Sequence, residues 1–134
     1  MFDVKTREFE ATLDHDGIPA VRMTLALPVI SGGRPRAARR IDAFYRHMEL
    51  AIVSHARRAL LPRAAGLFEP YRVKLTFTFE ESDGELRVAR VLYADFGGDE
   101  TEHRLTDVWD VKSGLLTRQL SEEVSYLQYL PQAR

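Results

Sequence analysis

The chain has 134 residues, of which 45% are hydrophobic and 29% are charged, and its net charge is −1. This length suits one domain over 1–134, and the near-neutral charge argues against a dedicated nucleic-acid-binding protein. The chain contains no cysteine, which excludes disulfides and thiol chemistry. Charge is unevenly spread, because residues 34–63 contain eight Arg and only two acids, which leaves the rest of the chain acidic.

The sequence contains no signal for membrane insertion. No apolar run approaches the ~20 residues of a membrane-spanning helix, and the first residues lack the charged start and apolar run of a signal peptide. We therefore expect a soluble protein without a membrane span, cytoplasmic by default. It would be extracytoplasmic if the natural chain carries a leader or an anchor that this sequence lacks.

Two segments of alternating hydrophobicity open the chain and predict a β-hairpin. The alternating apolar residues are Phe9, Ala11 and Leu13 in residues 2–13, and Val21, Met23, Leu25 and Leu27 in residues 18–27. Between them, Asp14-His15-Asp16-Gly17 is typical of a turn, with Gly17 at a positive φ. The same carboxylates and imidazole are possible metal ligands, but a plain turn is the far commoner use of this pattern.

The next segment predicts one long helix from Pro35 to Leu61. Proline suits a first helical position, and Pro62 predicts that the helix ends or kinks at Leu61. At 100° per residue one apolar stripe emerges around Ile41. It contains Ala37, Phe44, Tyr45, Met48, Ile52, Ala56 and Ala59 and is interrupted only by His55. The opposite face carries Arg36, Arg39, Arg46 and Arg57. We expect Phe44, Met48 and Ile52 to pack against strand residues such as Leu75 and Phe77.

The remainder predicts a second group of strands and a short final helix. Strands are expected at Tyr71–Glu80, Leu86–Phe96, Glu102–Val111 and Leu115–Thr117, and a helix from an N-cap at Ser121 to Pro131. Trp109 should be at least half buried near that helix. The predicted fold class is therefore α+β: a two-layer arrangement in which an antiparallel sheet, an N-terminal hairpin plus a three- to four-stranded meander, packs on one long helix.

The candidate site is the segment around a glycine pair between two strands: Gly97, Gly98, Asp99, Glu100, Glu102 and His103. Glycine pairs give loops backbone shapes that often serve binding, and the acids favour a cationic partner. Carboxylates with an imidazole are also compatible with a metal or acid–base site, but Glu102 and His103 should point to opposite faces of a strand. A solvated acidic loop is the alternative. We predict no metal, no cofactor and no catalytic residue.

His55 interrupts the apolar stripe of the helix. A buried histidine paired with a strand tyrosine or carboxylate is the ordinary interpretation. A pH-sensitive switch at the helix–sheet interface is the alternative.

Three motifs in this order resemble those of the DUF3298 (RsiV-like) family, over about residues 20–130. They are Leu27-Pro28-Val29-Ile30-Ser31-Gly32 before a helix containing Arg40-Ile41-Asp42-Ala43-Phe44-Tyr45, the pair Gly97-Gly98, and Val108-Trp109-Asp110-Val111-Lys112-Ser113-Gly114. That family has "YP-x-I-SG", "GGAH" and "FDLKTG" at the corresponding places, so Asp99-Glu100 here stand where it has Ala-His. The domain occurs in extracytoplasmic parts of anti-sigma factors and polysaccharide deacetylases.

The resemblance implies a non-enzymatic binding or sensing module whose partner is a protein or a cell-wall fragment. Two other functions stay open. One is a small hydrolase-like enzyme that uses Glu102 or His103 with Asp95 or Asp99. The other is an intracellular regulator whose helix arginines bind an acidic partner. The sequence leaves the oligomeric state and the identity of the ligand open.

Overall fold

The computed structural model describes residues 1–65 and 69–121, which contain one mixed six-stranded sheet and one long helical segment. The elements are β1 (Phe2–His15), β2 (Ile18–Gly32), α1 (Pro35–His55), a π-helical segment (Ala56–Leu60), α2 (Leu61–Ala64), β3 (Tyr71–Ser82), β4 (Glu85–Phe96), β5 (Asp99–Asp110) and β6 (Leu116–Ser121). The strands lie side by side in chain order. The α+β class is confirmed, and no described helix is long and apolar enough to cross a membrane.

One strand pair differs from the predicted antiparallel sheet. β2 and β3 are parallel, with Val21–Leu25 opposite Tyr71–Leu75, while the other neighbouring pairs are antiparallel. The reason is the connection: parallel neighbours need a crossover, and the long helix carries the chain back to the end of the sheet where β2 began. Alternation within each strand records which face is buried but not the direction of its neighbour.

The helical segment begins at Pro35, as predicted, but it does not stop before Pro62. Ala56–Leu60 form a π-helical turn, and α2 then carries the proline in its first turn. A proline lacks its N–H and its ring clashes with the carbonyl four residues earlier, so a regular α-helix does not accommodate it. Here the Leu61 N–H bonds to the Ala56 carbonyl five residues back, and this wider turn brings the chain past the proline.

The helix and the sheet share one hydrophobic core. Ile41, Met48 and Ile52 from α1 are buried with Leu25 and Leu75 from the strands. This confirms the expected burial of Met48 and Ile52, whereas Phe44 is only partly buried at the edge of the core. Along β4, Leu86, Val88, Arg90, Leu92 and Ala94 are buried in alternation, which is the pattern of a strand with one face in the core.

The C-terminal hairpin packs against the beginning of α1. A Cβ atom on Gly114 would lie 2.6 Å from the Cα and the carbonyl oxygen of Ala37, and the Arg40 guanidinium donates to the Ser113 carbonyl at 2.9 Å. Ser121, the predicted N-cap of a final helix, is instead the last residue of β6. The rest of that predicted helix lies outside the described residues.

Candidate functional site

The glycine pair forms a tight turn between β4 and β5. Gly97 and Gly98 have φ values of 72° and 95°, which residues with a Cβ rarely adopt. The Gly98 N–H donates to the Asp95 carboxylate at 2.8 Å. Phe96 pairs with Asp99, so the antiparallel pairing of β4 with β5 continues up to the turn. The candidate site is therefore a well-defined hairpin end, and we call Asp95–Glu102 the acidic hairpin.

The acids of this hairpin lie at the surface. Asp99, Glu100 and Glu102 are exposed, and the Tyr93 hydroxyl donates a short hydrogen bond to the Glu100 carboxylate. This bond, aided by partial desolvation and by the nearby negative charge, raises the pKa of Tyr93 to about 12. The Arg104 guanidinium lies 3.6 Å from Glu102. Two of the three exposed carboxylates therefore have a donor or a cation beside them, and Asp99 has neither among the described residues.

His103 does not belong to this exposed surface. It is only 7% exposed, and it lies on the inner face of β5 with Leu105, Asp107 and Trp109. The adjacent Glu102 is exposed on the other face. The structure therefore brings together the glycines and the three acids, and it separates the histidine from them, because neighbouring side chains in a strand alternate between faces.

A small apolar cleft opens beside the acidic hairpin. It lies between the end of α1 and the sheet, encloses about 10 Å³, and is lined by Met23, Ile52, His55, Leu60, Val73, Leu92, Ala94 and Phe96. This space admits about one water molecule. Burial, followed by the charges of Arg58 and Arg63, lowers the pKa of His55. His55 is half-buried, and it is the last residue of α1 before the π-helical segment.

A buried polar network lies at the centre of the helix–sheet interface, and sequence reasoning missed it. Arg90 in β4 makes two hydrogen bonds to the Asp107 carboxylate in β5, at 2.7 and 2.8 Å, and both side chains are essentially unexposed. The Tyr45 hydroxyl donates to Asp107 at 2.7 Å and accepts from the Trp109 indole N–H at 2.8 Å. The Gln119 side chain donates the fourth bond to Asp107 at 2.9 Å.

The network satisfies a carboxylate and a guanidinium that water cannot reach. Desolvation, and then the negative charge of Asp107, raise the pKa of the Tyr45 hydroxyl well above its ordinary value. A signal for it was present in the sequence, because Arg90 falls in phase with the buried Val88 and Leu92 of β4. A charged residue on the apolar face of a central strand requires a buried partner.

The arginine-rich face of the helix lies at the surface. Arg36, Arg39 and Arg57 are exposed. Arg46 is paired with Asp42 one turn earlier, at 3.0 Å, and the Arg58 side chain donates to the Ser54 carbonyl. The arginines opposite the apolar stripe are therefore on the exposed side of the helix.

Within residues 1–65 and 69–121, no group of three or more His, Cys, Asp or Glu side chains is arranged to hold a metal ion. No protein-family model and no curated protein matches this chain.

Proposed function

We propose that this protein is a non-enzymatic binding or sensing module that resembles the DUF3298 domain, and that the acidic hairpin carries its ligand site. Its ligand is a cationic segment of a protein or an amine-bearing cell-wall fragment. The proposal includes a two-layer arrangement of helix and sheet and a short C-terminal helix. Gly97 and Gly98 shape the turn, Asp99, Glu100 and Glu102 attract the ligand, and His103 supports the hairpin from its inner face.

One observation carries the proposal: three exposed carboxylates lie within four residues of a turn that is held by hydrogen bonds. The Asp95 carboxylate accepts a hydrogen bond from the Gly98 N–H, and the Tyr93 hydroxyl donates one to Glu100. A pre-formed site loses little conformational freedom when a ligand binds. Closely spaced carboxylates also raise the local concentration of cations through their combined field.

The geometry favours this function over the hydrolase alternative. His103 is buried on the inner face of β5, whereas Asp99 is exposed at the start of that strand. Asp99 and Glu102 are three residues apart, so they fall on opposite faces of β5 and do not reach one substrate from the same side. The Asp95 carboxylate is occupied by the turn. An acid–base pair needs both groups within hydrogen-bond reach of the same reacting atoms.

Titration of the ¹⁵N-labelled protein, monitored by NMR, tests the proposed function. The probes are a lysine tetrapeptide and a peptidoglycan disaccharide-tetrapeptide that carries a free amine. We expect saturable amide shifts confined to residues 95–103 with at least one probe. These shifts should weaken at high salt, since exposed charges are screened.

Two triple variants with equal changes in charge separate a site from a general charge effect. Asp99→Ala/Glu100→Ala/Glu102→Ala should abolish the shifts. The control Glu8→Ala/Glu10→Ala/Glu80→Ala removes three exposed acids elsewhere and should retain them. The proposal fails if neither probe produces a saturable shift or if both variants respond like the wild type. Thermal melts of both variants check that the fold is intact.

A further inference from the structure

A second concave surface lies between α1 and the first hairpin. It is a groove of about 220 Å³, lined by Arg7, Leu27, Pro28, Val29, Asp42, Tyr45, Arg46 and Glu49. We call it the helix–β2 groove. A cavity of about 150 Å³ already holds a benzene-sized molecule, so this groove has room for a ligand of about ten to fifteen non-hydrogen atoms.

The groove exists because β2 and β3 stay paired over only part of their lengths. The parallel register ends at Leu25 and Leu75, and the later residues of β2 pair with β1 alone within the described part of the chain. The Ile30 N–H donates to Asp42 in α1 at 2.9 Å, so it points away from β1. Pro28, two residues earlier, faces the same way and has no N–H to leave unpaired. This edge of β2 therefore faces the groove, and neither Pro28 nor Ile30 leaves a backbone N–H there without an acceptor.

The floor and the walls of the groove differ in chemistry. Leu27, Pro28 and the Tyr45 ring form an apolar floor, since Leu27 and Tyr45 are almost fully buried. Two arginines and two acids form the walls, and their formal charges cancel. An electrically balanced wall of this kind suits a ligand that carries both charges, because each ligand charge then finds an opposite one.

Glu49 supplies the most specific feature. Its Oε1 atom is fully buried and accepts no hydrogen bond from the described residues. The Arg7 Nε atom lies 3.3 Å away, close enough for an ion pair but without hydrogen-bond alignment. Asp42, in contrast, is satisfied by the Ile30 N–H and by Arg46. A buried carboxylate oxygen that accepts no hydrogen bond is energetically costly. An ammonium group bound in the groove would donate the hydrogen bond that this oxygen lacks.

We propose that the helix–β2 groove binds a free α-amino acid with an apolar side chain. The ligand ammonium donates to Glu49, its carboxylate accepts from the guanidinium groups of Arg7 and Arg46, and its side chain lies on Leu27, Pro28 and Tyr45. Both guanidinium groups are more than half exposed and have N–H groups beyond the one that each uses for its acid partner. The site shares no residue with the acidic hairpin, so it is independent of the proposed function.

Calorimetric titration of the wild-type protein with a matched set of probes tests this site. L-phenylalanine and L-leucine are the expected ligands. N-acetyl-L-phenylalanine lacks the ammonium group, and phenethylamine lacks the carboxylate. We expect saturable binding of at least one free amino acid and an affinity at least about tenfold lower for each analogue of it that lacks one charge, because the groove then lacks one of its two charge pairs with the ligand. No saturable heat with either amino acid, or equal affinity for the acetylated analogue, overturns the proposal.

Substitutions place the binding on the groove. Glu49→Gln keeps the shape and removes the charge, and it should weaken binding of the free amino acid by about tenfold or more while leaving N-acetyl-L-phenylalanine unaffected. Arg7→Gln is the second variant and should weaken binding of the carboxylate-bearing probes only. Glu8→Gln, an exposed neighbour of Arg7 in β1, is the control and should bind like the wild type. Wild-type affinity in both Glu49→Gln and Arg7→Gln would overturn the assignment.

Discussion

The Arg90–Asp107 pair shows how a few residues can determine the interior of this protein. Burying two charges costs several kcal/mol each, and only close geometry and further hydrogen bonds offset that cost. The bidentate contact and the donors from Tyr45 and Gln119 provide both. Removing one member of this pair should therefore destabilise the fold more than replacing both members by apolar residues.

This dependence predicts unequal effects of single and double substitutions. Asp107→Leu leaves the Arg90 guanidinium buried without its carboxylate, and we expect it to lower the free energy of unfolding by about 3–5 kcal/mol. Arg90→Met/Asp107→Leu removes both charges and should cost less than Asp107→Leu alone. Urea denaturation measures both values. A double variant that is less stable than the single one would contradict this account.

The Tyr93–Glu100 bond at the acidic hairpin gives a titration that can be followed directly. The neighbouring carboxylate raises the pKa of Tyr93 to about 12, so its phenolate should form later than that of an ordinary exposed tyrosine. Glu100→Gln removes the negative charge and should return this pKa toward 10, the ordinary value. Ultraviolet absorbance of the phenolate during an alkaline titration measures the change. An unchanged titration in the variant would mean that the bond does not persist in solution.

At the scale of elements, the contact between the β5–β6 turn and α1 depends on one glycine. Gly114 has a positive φ, and a Cβ atom there would overlap the backbone of Ala37. Ala37 lies in the first turn of α1, and the helical geometry leaves its backbone little freedom to move away. The turn and the helix are therefore in contact because this position has no side chain.

Two glycine substitutions separate the contact from the backbone strain. Gly114→Ala should cost about 2–5 kcal/mol, because it adds overpacking to an unfavourable φ. Gly84 has a nearly equal φ of 77° and open space around it, so Gly84→Ala should cost only the roughly 1–2 kcal/mol of the backbone conformation. Chemical denaturation of both variants provides the comparison. Equal losses would show that the packing against Ala37 contributes nothing.

At the scale of the whole molecule, the lowered pKa of His55 predicts that stability depends on pH. Burial and two nearby arginines lower its pKa in the folded protein below 6.5, the ordinary value. The unfolded chain therefore binds more protons in the interval between the two pKa values. Stability must fall as the pH is lowered through that interval, and it is fully retained only above it.

The pH dependence can be assigned with two variants. We expect the melting temperature to fall between about pH 7.5 and about pH 5, and His55→Gln should reduce that fall. His15→Gln, at the exposed β1–β2 turn, is the control and should preserve the wild-type dependence. If His55→Gln melts with the same pH dependence as the wild type, His55 does not couple protonation to folding.

The sequence by itself determined the local elements. Alternation identified the strands, because residues in a strand point to opposite faces in turn. Pro35 marked the start of the helix, because a proline has no N–H to leave unpaired there. The glycine pair at 97–98 marked a turn, because residues with a Cβ rarely adopt the positive φ angles that such a turn needs. Each of these signals acts over a few residues and can be read without knowing the rest of the fold.

Only the tertiary structure decided the direction of β3 beside β2, the Arg90–Asp107 pair and the groove between Arg7 and Glu49. These features bring together groups that are many residues apart, and their free energies depend on distance, alignment and loss of water. For His103, alternation predicted a face opposite to that of Glu102, and the structure shows that this face is the buried one. A local pattern records which residues are polar, but the packing of the whole chain selects which of them meet in the interior.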